Sequence, residues 1–289
     1  MKSVGWPAPA KVNLFLHVMA RRPDGYHELQ TAFQLLDLSD SIDFELRSDG
    51  VLVRTAGPIE ILPEDDLVLR AARLLRRQAD PRCGANIALH KRIPAAGGLG
   101  GGSSDAATVL VALNLLWDIG LDEGELARLG LALGADVPVF VRGRSAWAEG
   151  VGEVLTPIEL PRRWFAIVRP AVEVSTASVF QAPELTRNSP RITILGFLQA
   201  GGRNDCETVV AGRYPEVRRA LDWLAARAGE ARLTGTGSCV FAALGSRAEA
   251  EASLEDLPEG WTGLVAAGID RSPLLDRVEV ERAGRRGLG

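Results

Sequence analysis

One glycine-rich stretch dominates the sequence: Pro94-Ala95-Ala96-Gly97-Gly98-Leu99-Gly100-Gly101-Gly102-Ser103-Ser104. Five of its glycines fall within six consecutive positions. Glycine adopts backbone angles that other residues avoid, and it leaves room for a large anion to approach the chain. Successive N–H groups of such a loop can point inward and form a concave anion site. The stretch therefore predicts a loop that binds phosphate groups through its backbone.

The elements on either side of this glycine loop strengthen the interpretation. A strand is predicted at residues 86–92, and the spacing of Val109 and Leu113 predicts an amphipathic helix over residues 104–117. The loop thus leads into a helix N-terminus, whose free N–H groups favour phosphate. A flexible linker is the alternative, but a linker has no reason to be framed by two regular elements. The spacing fits neither a Walker A motif nor Gly-x-Gly-x-x-Gly, so a phosphate cradle of another type is expected.

The strand predicted at residues 10–21 carries two polar side chains on one face. Apolar residues alternate with Lys11 and Asn13, which therefore point to the same side. Polar groups on an apolar strand are costly unless they have partners or a task. Only three of the 33 basic residues are lysines, and a compact ammonium differs in use from the planar guanidinium of arginine. Lys11 is therefore a candidate site residue, with a surface lysine as the alternative.

The composition is that of a globular protein with a sizeable core. Of 289 residues, 46% are hydrophobic and 24% are charged, which excludes a disordered chain, a collagen and a coiled coil. A formal net charge of −4 argues against a nucleic-acid binder. The longest apolar run, at residues 109–117, is too short to span a membrane, and the N-terminus lacks signal-peptide features, so a cytoplasmic protein is expected. Three scattered cysteines and three histidines predict neither a disulfide framework nor a metal site.

The remaining pattern mixes helices and strands without a regular repeat, which predicts an α+β protein. A turn at residues 48–50 predicts a hairpin between the strands before and after it. Further helices are expected at 66–78, 122–134, 175–180, 216–228 and 247–254, and further strands at 145–155, 164–168, 233–244 (two strands around a turn) and 263–269. A proline-containing segment at 156–163 is the candidate boundary between two domains, residues 1–160 and 161–289.

At this point the glycine loop resembles the ATP motif of the GHMP kinases, a family of small-molecule kinases. Four further stretches carry the resemblance: PAKVNLFL at 9–16, RPDGYHELQ at 22–30, GADVPVF at 134–140 and TGTGSCVF at 234–241. The stretch NDCE at 204–207 matches weakly. Together these stretches span most of the chain. They narrow the resemblance to a branch of the family whose acceptor carries a cytidine diphosphate group.

The resemblance implies a fold and an activity. The fold is the GHMP kinase fold, with an N-terminal domain like ribosomal protein S5 domain 2, a ferredoxin-like C-terminal domain and the site between them. The activity is transfer of the γ-phosphate of ATP, accompanied by Mg²⁺, to a hydroxyl of that small molecule. No nucleic acid, membrane or protein partner is implied. Two other functions stay open: a kinase acting on homoserine or a mevalonate derivative, and a nucleotide-binding regulator without catalysis.

The resemblance also assigns roles to residues. Lys11 and Asp136 match the family's catalytic lysine and aspartate, the ammonium stabilising charge and the carboxylate accepting the proton of the attacking hydroxyl. Asp136 then also contacts the acceptor. Asn13 binds the acceptor or orients Lys11, and residues 94–104 bind ATP. For Asp136 the alternative is a cap of the helix that follows it.

The base of the acceptor is implied to lie among aromatic residues. Tyr26 and His27 follow a turn and can stack on or hydrogen-bond a flat base. The resemblance implies that Phe180 packs against the other face of the base; the alternative is that Phe180 belongs only to the hydrophobic core. Lys91 is expected along the adenine of ATP, with a solvated charge as the alternative. The turn at 234–238 is implied to support the glycine loop, with a simple tight turn as the alternative.

Three positions depart from the family's pattern. Ala96 stands where another glycine is common, which is tolerable if its φ is negative. Asp66, expected among the ATP-binding residues, replaces an asparagine, so it keeps an acceptor and loses an amide donor. Thr208 stands in place of a proline. None of the three is expected to touch the chemistry.

Overall fold

The computed structural model describes residues 1–58 and 62–286. The strands within these ranges are β1 (Lys2–Arg21), β2 (His27–Arg47), β3 (Leu52–Ala56), β4 (Gly84–His90), β5 (Ala146–Gly150), β6 (Val154–Pro157), β7 (Trp164–Arg169), β8 (Arg232–Leu233), β9 (Val240–Leu244) and β10 (Thr262–Ile269). The helices are α1 (Leu67–Arg76), α2 (Gly101–Leu116), α3 (Glu123–Leu131), α4 (Val137–Arg142), α5 (Thr176–Gln181), α6 (Ile194–Ala200), α7 (Asp205–Arg213), α8 (Pro215–Ala228), α9 (Arg247–Ala252) and α10 (Pro273–Arg286). This irregular alternation confirms the predicted α+β class. In the ranges described, no helix combines the length and the apolarity needed to cross a membrane.

One sheet runs through both halves of the chain. Its main path is β3-β4-β2-β10-β7-β9-β8, while β1 and β5 also pair with β2, and β6 pairs with β5. Lys11 on β1 lies opposite Leu35 on β2, and Leu35 lies opposite Ile269 on β10. The sheet therefore joins the two halves at the strand pair that carries Lys11.

The described residues form four hydrophobic clusters around this sheet, and three of them surround the glycine loop and the helices of the two halves. One packs α1 to α4 against its N-terminal half, and another packs α7, α8 and α9 against its C-terminal half. The third draws on both halves and includes Val12, Leu99 and Phe241. Leu99 belongs to the glycine loop and is 1% exposed, so its burial fixes that loop where the halves meet.

Helix α2 begins inside the glycine-rich stretch, three residues before the predicted start. Gly100 is its N-cap residue, with a φ of +73° that favours glycine. The prediction of a single apolar face is wrong, because the side chains from Ser104 to Asn114 are all buried. Neighbouring helices and the β1–β2 pair cover α2 on several sides. The glycine loop therefore leads into a central helix rather than a surface one.

Two local predictions are also wrong. No hairpin joins β2 and β3, because β4 pairs antiparallel with β2 and parallel with β3 and so lies between them. The strand predicted at 145–155 is two antiparallel strands, β5 and β6. Helices α6, α7 and α10 were not predicted. Strands β1 and β2 begin much earlier than predicted, at Lys2 and His27. The other predicted elements are present with ends shifted by a few residues, including the helices that Asp66 and Asp122 cap.

The proposed division between residues 160 and 161 falls in the connection from β6 to β7. Two features cross it: Leu16 and Val18 of β1 belong to the C-terminal cluster, and β10 returns to pair with β2. The division stays a prediction.

Candidate active site

A cleft of about 650 Å³ opens beside the glycine loop and β1. Most of the residues predicted for the site line it, namely Lys11, Asn13, Asp66, Lys91, residues 94–103, Asp136 and Phe180. Residues 235–237, between β8 and β9, line it as well. Tyr26, His27 and Ser104 lie outside the lining. The fold thus gathers segments from both halves of the chain around one cavity.

Lys11 and Asp136 lie side by side in this cleft. Lys11 Nζ is 3.2 Å from Asp136 Oδ2. Lys11 is 2% exposed, whereas 33% of the Asp136 side chain is open. Asp136 occupies the N-cap position of α4, yet its carboxylate accepts no hydrogen bond from the first amides of that helix. Capping therefore does not account for Asp136, and its carboxylate is free to meet a ligand beside the ammonium.

Two further oxygen atoms hold the Lys11 ammonium. It donates to Asn13 Oδ1 at 2.5 Å and to the Gly98 carbonyl at 3.1 Å. Asn13 Nδ2 in turn donates to Thr31 Oγ1 at 3.0 Å. The prediction that Lys11 and Asn13 share a face of β1 is confirmed. These contacts fix the direction of the ammonium towards the glycine loop.

The carbonyl groups from Ala96 to Leu99 in the glycine loop are turned towards protein donors. Four successive carbonyls accept hydrogen bonds: Ala96 from Ser238 N (3.3 Å), Gly97 from Cys239 N (3.1 Å), Gly98 from Thr234 Oγ1 (3.2 Å) and Leu99 from Lys11 N (3.0 Å). Within the described part of the chain, the N–H groups from Gly98 to Ser103 donate to no protein acceptor. Unpaired N–H groups at a helix N-terminus form an anion site. The turn between β8 and β9 is thus a support of the loop and not an isolated turn.

Two glycines of the loop are required by close packing against this support. A Cβ at Gly98 would lie 2.1 Å from the Thr234 carbonyl oxygen, and one at Gly97 would lie 2.5 Å from Cys239 Sγ. Gly98 also has a φ of +75°. Larger residues at these positions would push the loop away from the turn that orients it.

The weakly matching stretch at 204–207 supports that turn in its own right. Asn204 Nδ2 donates to the carbonyls of Leu233 and Gly235 at 2.9 and 2.8 Å. Glu207 Oε2 accepts from Leu233 N at 2.8 Å. The start of α7 therefore holds the turn, and the turn holds the glycine loop.

An aromatic pair forms what we call the aromatic end of the cleft: Phe180 lines the cleft, and His27 stacks on it from outside the lining. The rings of His27 and Phe180 stack with centroids 5.1 Å apart and planes inclined by 27°. Arg187 Nε donates to His27 Nε2 at 3.1 Å. Burial lowers the pKa of His27, and the charge of Arg187 lowers it further, which favours a neutral ring with its proton on Nδ1. Tyr26 lies apart from this pair at the surface, 63% exposed.

Two departures from the family's pattern have local consequences. Asp66 caps α1, and both of its oxygens are engaged, one by Val68 N and Leu69 N and the other by Arg54. Ala96 has a φ of +53°, so the condition of a negative φ is not met. An L-residue in this left-handed region is strained by about 1–2 kcal/mol. Thr208 lies in α7, outside the cleft lining.

Lys91 is not a solvated charge, so that alternative is wrong. Its ammonium contacts the carboxylates of Asp40 and Asp105, neither of which was predicted as a site residue. The sequence did single out Asp105, since it is the sole charged residue in the predicted helix 104–117. Arg187 carried no comparable signal, because its contact with His27 joins residues 160 positions apart. Contact of Lys91 with adenine stays a prediction.

Comparisons with known sequences confirm the resemblance. The model of the GHMP kinases N terminal domain matches residues 66–144, and that of the GHMP kinases C terminal domain matches residues 188–262. A 4-diphosphocytidyl-2-C-methyl-D-erythritol kinase of Alkalilimnicola ehrlichii is 57% identical over 277 residues, covering 96% of this chain and 95% of the relative. One of Halorhodospira halophila is 56% identical, covering 96% and 98%.

Solved structures agree in fold. A crystal structure of a 4-(cytidine 5'-diphospho)-2C-methyl-D-erythritol kinase superimposes with a TM-score of 0.79 and 36% identity, covering 93% of this chain and all of that one. The mevalonate kinase of Methanococcus jannaschii superimposes with a TM-score of 0.66 at 17% identity, covering 93% and 98%, and so shares the fold alone. The two-domain fold expected from the motifs is confirmed by these matches.

Proposed function

The chain belongs to the GHMP kinase family and, within it, to the 4-diphosphocytidyl-2-C-methyl-D-erythritol kinases, and on that premise we propose that it transfers the γ-phosphate of ATP to the 2-hydroxyl of 4-diphosphocytidyl-2-C-methyl-D-erythritol. The products are the 2-phosphate and ADP, in the non-mevalonate route to isoprenoid precursors. One observation carries the proposal for this chain: the Lys11–Asp136 pair lies in the same cleft as a loop whose N–H groups are unpaired.

The glycine loop would hold the triphosphate. Its N–H groups and the N-terminus of α2 would face the phosphate oxygens, while the carbonyls of residues 96–99, which would repel them, are bound to protein donors. Phosphoryl transfer depends mainly on positioning and on stabilising charge, since little covalent chemistry falls to the protein. A backbone already fixed in this arrangement needs no reorganisation when the nucleotide binds.

Asp136 would accept the proton of the attacking hydroxyl. The hydroxyl oxygen forms the new bond to the γ-phosphorus, the bond from that phosphorus to the β,γ-bridging oxygen breaks, and ADP leaves with the electron pair. The Lys11 ammonium, 3.2 Å from Asp136, would offset the negative charge that builds up when a carboxylate and a phosphate approach each other. Asn13 would keep that ammonium in place and contact the acceptor.

Magnesium would enter bound to ATP. The described residues contain no group of three or more His, Cys, Asp or Glu side chains able to hold a metal, so they fit an ion held mainly by phosphate oxygens and water. Ser103, which lines the cleft in the first turn of α2, is the side-chain oxygen that the loop offers to it. When bound, the ion neutralises phosphate charge.

The cytosine of the acceptor would lie against Phe180. His27 stands behind that ring, held by Arg187, and Tyr26 on the preceding turn would supply the opposite wall when the base is present. Lys91 and Asp66 line the cleft on the glycine-loop side, where the proposal puts the adenosine of ATP.

The test is ADP release measured with four acceptors: the cytidyl diphosphate, homoserine, mevalonate and phosphomevalonate. Turnover with the cytidyl diphosphate alone is expected, because the other three have no base for Phe180 to hold. Equal or faster turnover with homoserine or a mevalonate derivative would replace this proposal with another kinase of the family. Binding of nucleotide without turnover on any acceptor would favour a regulator.

A further inference from the structure

A buried cluster of three charged residues joins the two ends of the glycine loop. Lys91 Nζ lies 2.5 Å from Asp40 Oδ2 and 2.8 Å from Asp105 Oδ2. The three residues come from β2, from the segment after β4 and from α2. We call Asp40, Lys91 and Asp105 the anchor triad.

Asp40 holds the segment that enters the loop. Its second oxygen, Oδ1, accepts hydrogen bonds from Arg92 N at 2.5 Å and Ile93 N at 2.8 Å, directly before Pro94. Both Asp40 oxygens are therefore used on three consecutive residues, 91–93. The entry to the loop is thereby fixed to β2.

Asp105 holds the helix into which the loop leads. Its carboxylate is on the second turn of α2 and binds the same ammonium that Asp40 binds. A Cβ at Gly101, the first residue of α2, would lie 3.2 Å from Lys91 Nζ, so the ammonium also packs against the helix start. One positive charge thus ties the entry and the exit of the loop together.

Burial makes this arrangement more than a surface ion pair. The side chains of Asp40, Asp105 and Lys91 are 0%, 3% and 23% exposed. Desolvation raises the pKa of Asp105 to about 7 against the opposing attraction of Lys91, and its Oδ1 has no hydrogen-bond partner in the described residues. Although burial alone would lower the pKa of Lys91, Asp105 and Asp40 raise it. Removing one member of a buried charged group leaves the others uncompensated, which is strongly destabilising.

We propose that the anchor triad consists of positioning residues that set the distance between the two ends of the glycine loop and thereby the affinity for the nucleotide triphosphate. The inference rests on the proposed function only in naming that ligand. Four carbonyls of the loop are bound to the turn between β8 and β9 and to β1, so a shift of either end would pull the unpaired N–H groups out of line.

Asp40→Asn is the deciding variant. Asp40 is fully buried and does not line the cleft, so it can affect the nucleotide only through the position of the loop. The asparagine keeps the shape and one acceptor oxygen but loses the charge that binds Lys91. We expect the Kd of magnesium AMPPNP, measured by calorimetry without acceptor, to rise about tenfold or more, since the loss of one hydrogen bond to a charged group such as phosphate has an effect of about that size. The KM for ATP should rise with it, while the KM for the acceptor stays within about twofold.

Glu45→Gln is the matched control. Glu45 is on the same strand and binds Asn86 on β4 at 2.8 Å, but at an exposed position. We expect its Kd to stay within about twofold of the native protein, as for most surface substitutions. A folded Asp40→Asn protein that behaves like Glu45→Gln would overturn the proposal.

Lys91→Met adds a pH readout that a merely structural role would not give. Without the ammonium, Asp105 faces only the like charge of Asp40, so one carboxyl must bind a proton to relieve the repulsion. A raised carboxyl pKa favours the folded site at low pH, and the benefit is lost as pH rises. The Kd of AMPPNP for Lys91→Met should therefore increase from about pH 6 to about pH 8 by more than that of the native protein, and Lys91→Arg should restore most of the loss.

Circular dichroism shows which variants are folded, and only folded variants are compared. If Asp40→Asn does not fold, Asp105→Asn and Lys91→Met are judged by the same Kd criterion, and native affinity in both overturns the proposal. The binding assay contains no acceptor, so it stays informative if the native enzyme turns over none of the four acceptors. Absence of turnover with all four acceptors would contradict the proposed function but not the proposal for the anchor triad.

Discussion

The glycine-loop end of the cleft is fixed by the backbone, whereas the aromatic end is built from side chains. At the first, four successive carbonyls are bound to the turn between β8 and β9 and to β1. At the second, His27 and Phe180 stack and one arginine holds the histidine. Tyr26, expected at the same end, is exposed.

The difference corresponds to the demands of the two substrates. A triphosphate is bound by many N–H groups that must already point at it, because reorientation during the reaction would cost free energy. A base is recognised by stacking and a few polar contacts, which tolerate adjustment of one wall. The comparison therefore predicts that changes at the loop end damage nucleotide binding, and that changes at the aromatic end damage acceptor binding alone.

The largest effect is expected for Gly98→Ala. Its Cβ would lie 2.1 Å from a backbone oxygen of Thr234, at a φ of +75°, so the loop must leave its support. We expect kcat/KM for ATP to fall about a hundredfold or more, the size expected for a displacement of about 1 Å. Calorimetry with AMPPNP should show a matching loss of affinity.

Gly120→Ala is the control for backbone strain. Gly120 has a φ of +82°, but a Cβ there meets nothing within 4 Å. It should lose about 1–2 kcal/mol of folding free energy and keep its activity. If Gly98→Ala loses no more activity than Gly120→Ala, the glycine loop is not oriented by its close packing against the turn.

A smaller and more selective effect is expected for Phe180→Ala. Stacking of an aromatic side chain on a base contributes about 1–3 kcal/mol, so the KM for the cytidyl diphosphate should rise about 5-fold to 150-fold. The KM for ATP should change by less than about twofold, since no loop contact is lost. Phe180→Leu, which keeps most of the apolar packing, separates the loss of the ring from the loss of core volume. An equal rise in both KM values would contradict the separation of the two ends.

The smallest effect is expected for Ala96→Gly, within the loop itself. Relief of the left-handed strain at Ala96 gains about 1–2 kcal/mol, and the greater freedom of glycine in the unfolded chain costs about 0.4–1 kcal/mol. Thermal or denaturant unfolding should therefore show a net stabilisation of about 0–1.6 kcal/mol. A destabilised variant would mean that the carbonyl of Ala96, bound by Ser238 N, depends on the alanine side chain for its position.

Local patterns were sufficient to predict much of the site. The shared face of Lys11 and Asn13 follows from the two-residue period of a strand, and the capping box of α3 at Asp122 and Glu125 follows from residue spacing. The prediction that the glycine loop leads directly into a helix also depends only on a short stretch of sequence. These features depend on neighbours in the chain, so the sequence alone specifies them.

What was missed depends on pairing between distant residues. Strand β4 lies between β2 and β3, although each of these strands has other possible partners, and no short stretch of sequence determines which of them pair. The same holds for Lys91 between Asp40 and Asp105. The contact of the turn at 234–238 with the glycine loop was implied by the resemblance to the family and by no local pattern. The left-handed φ of Ala96 is imposed by these contacts and not by the preference of alanine.

The role of Asp136 as proton acceptor is tested most directly by measuring both the turnover of Asp136→Asn and its affinity for AMPPNP. Asp122→Asn is the control, since Asp122 caps its helix whereas Asp136 does not. We expect Asp136→Asn to bind AMPPNP within about twofold of the native protein while its kcat falls about a thousandfold, within the range for loss of a general base. Turnover of Asp136→Asn equal to that of Asp122→Asn would contradict it.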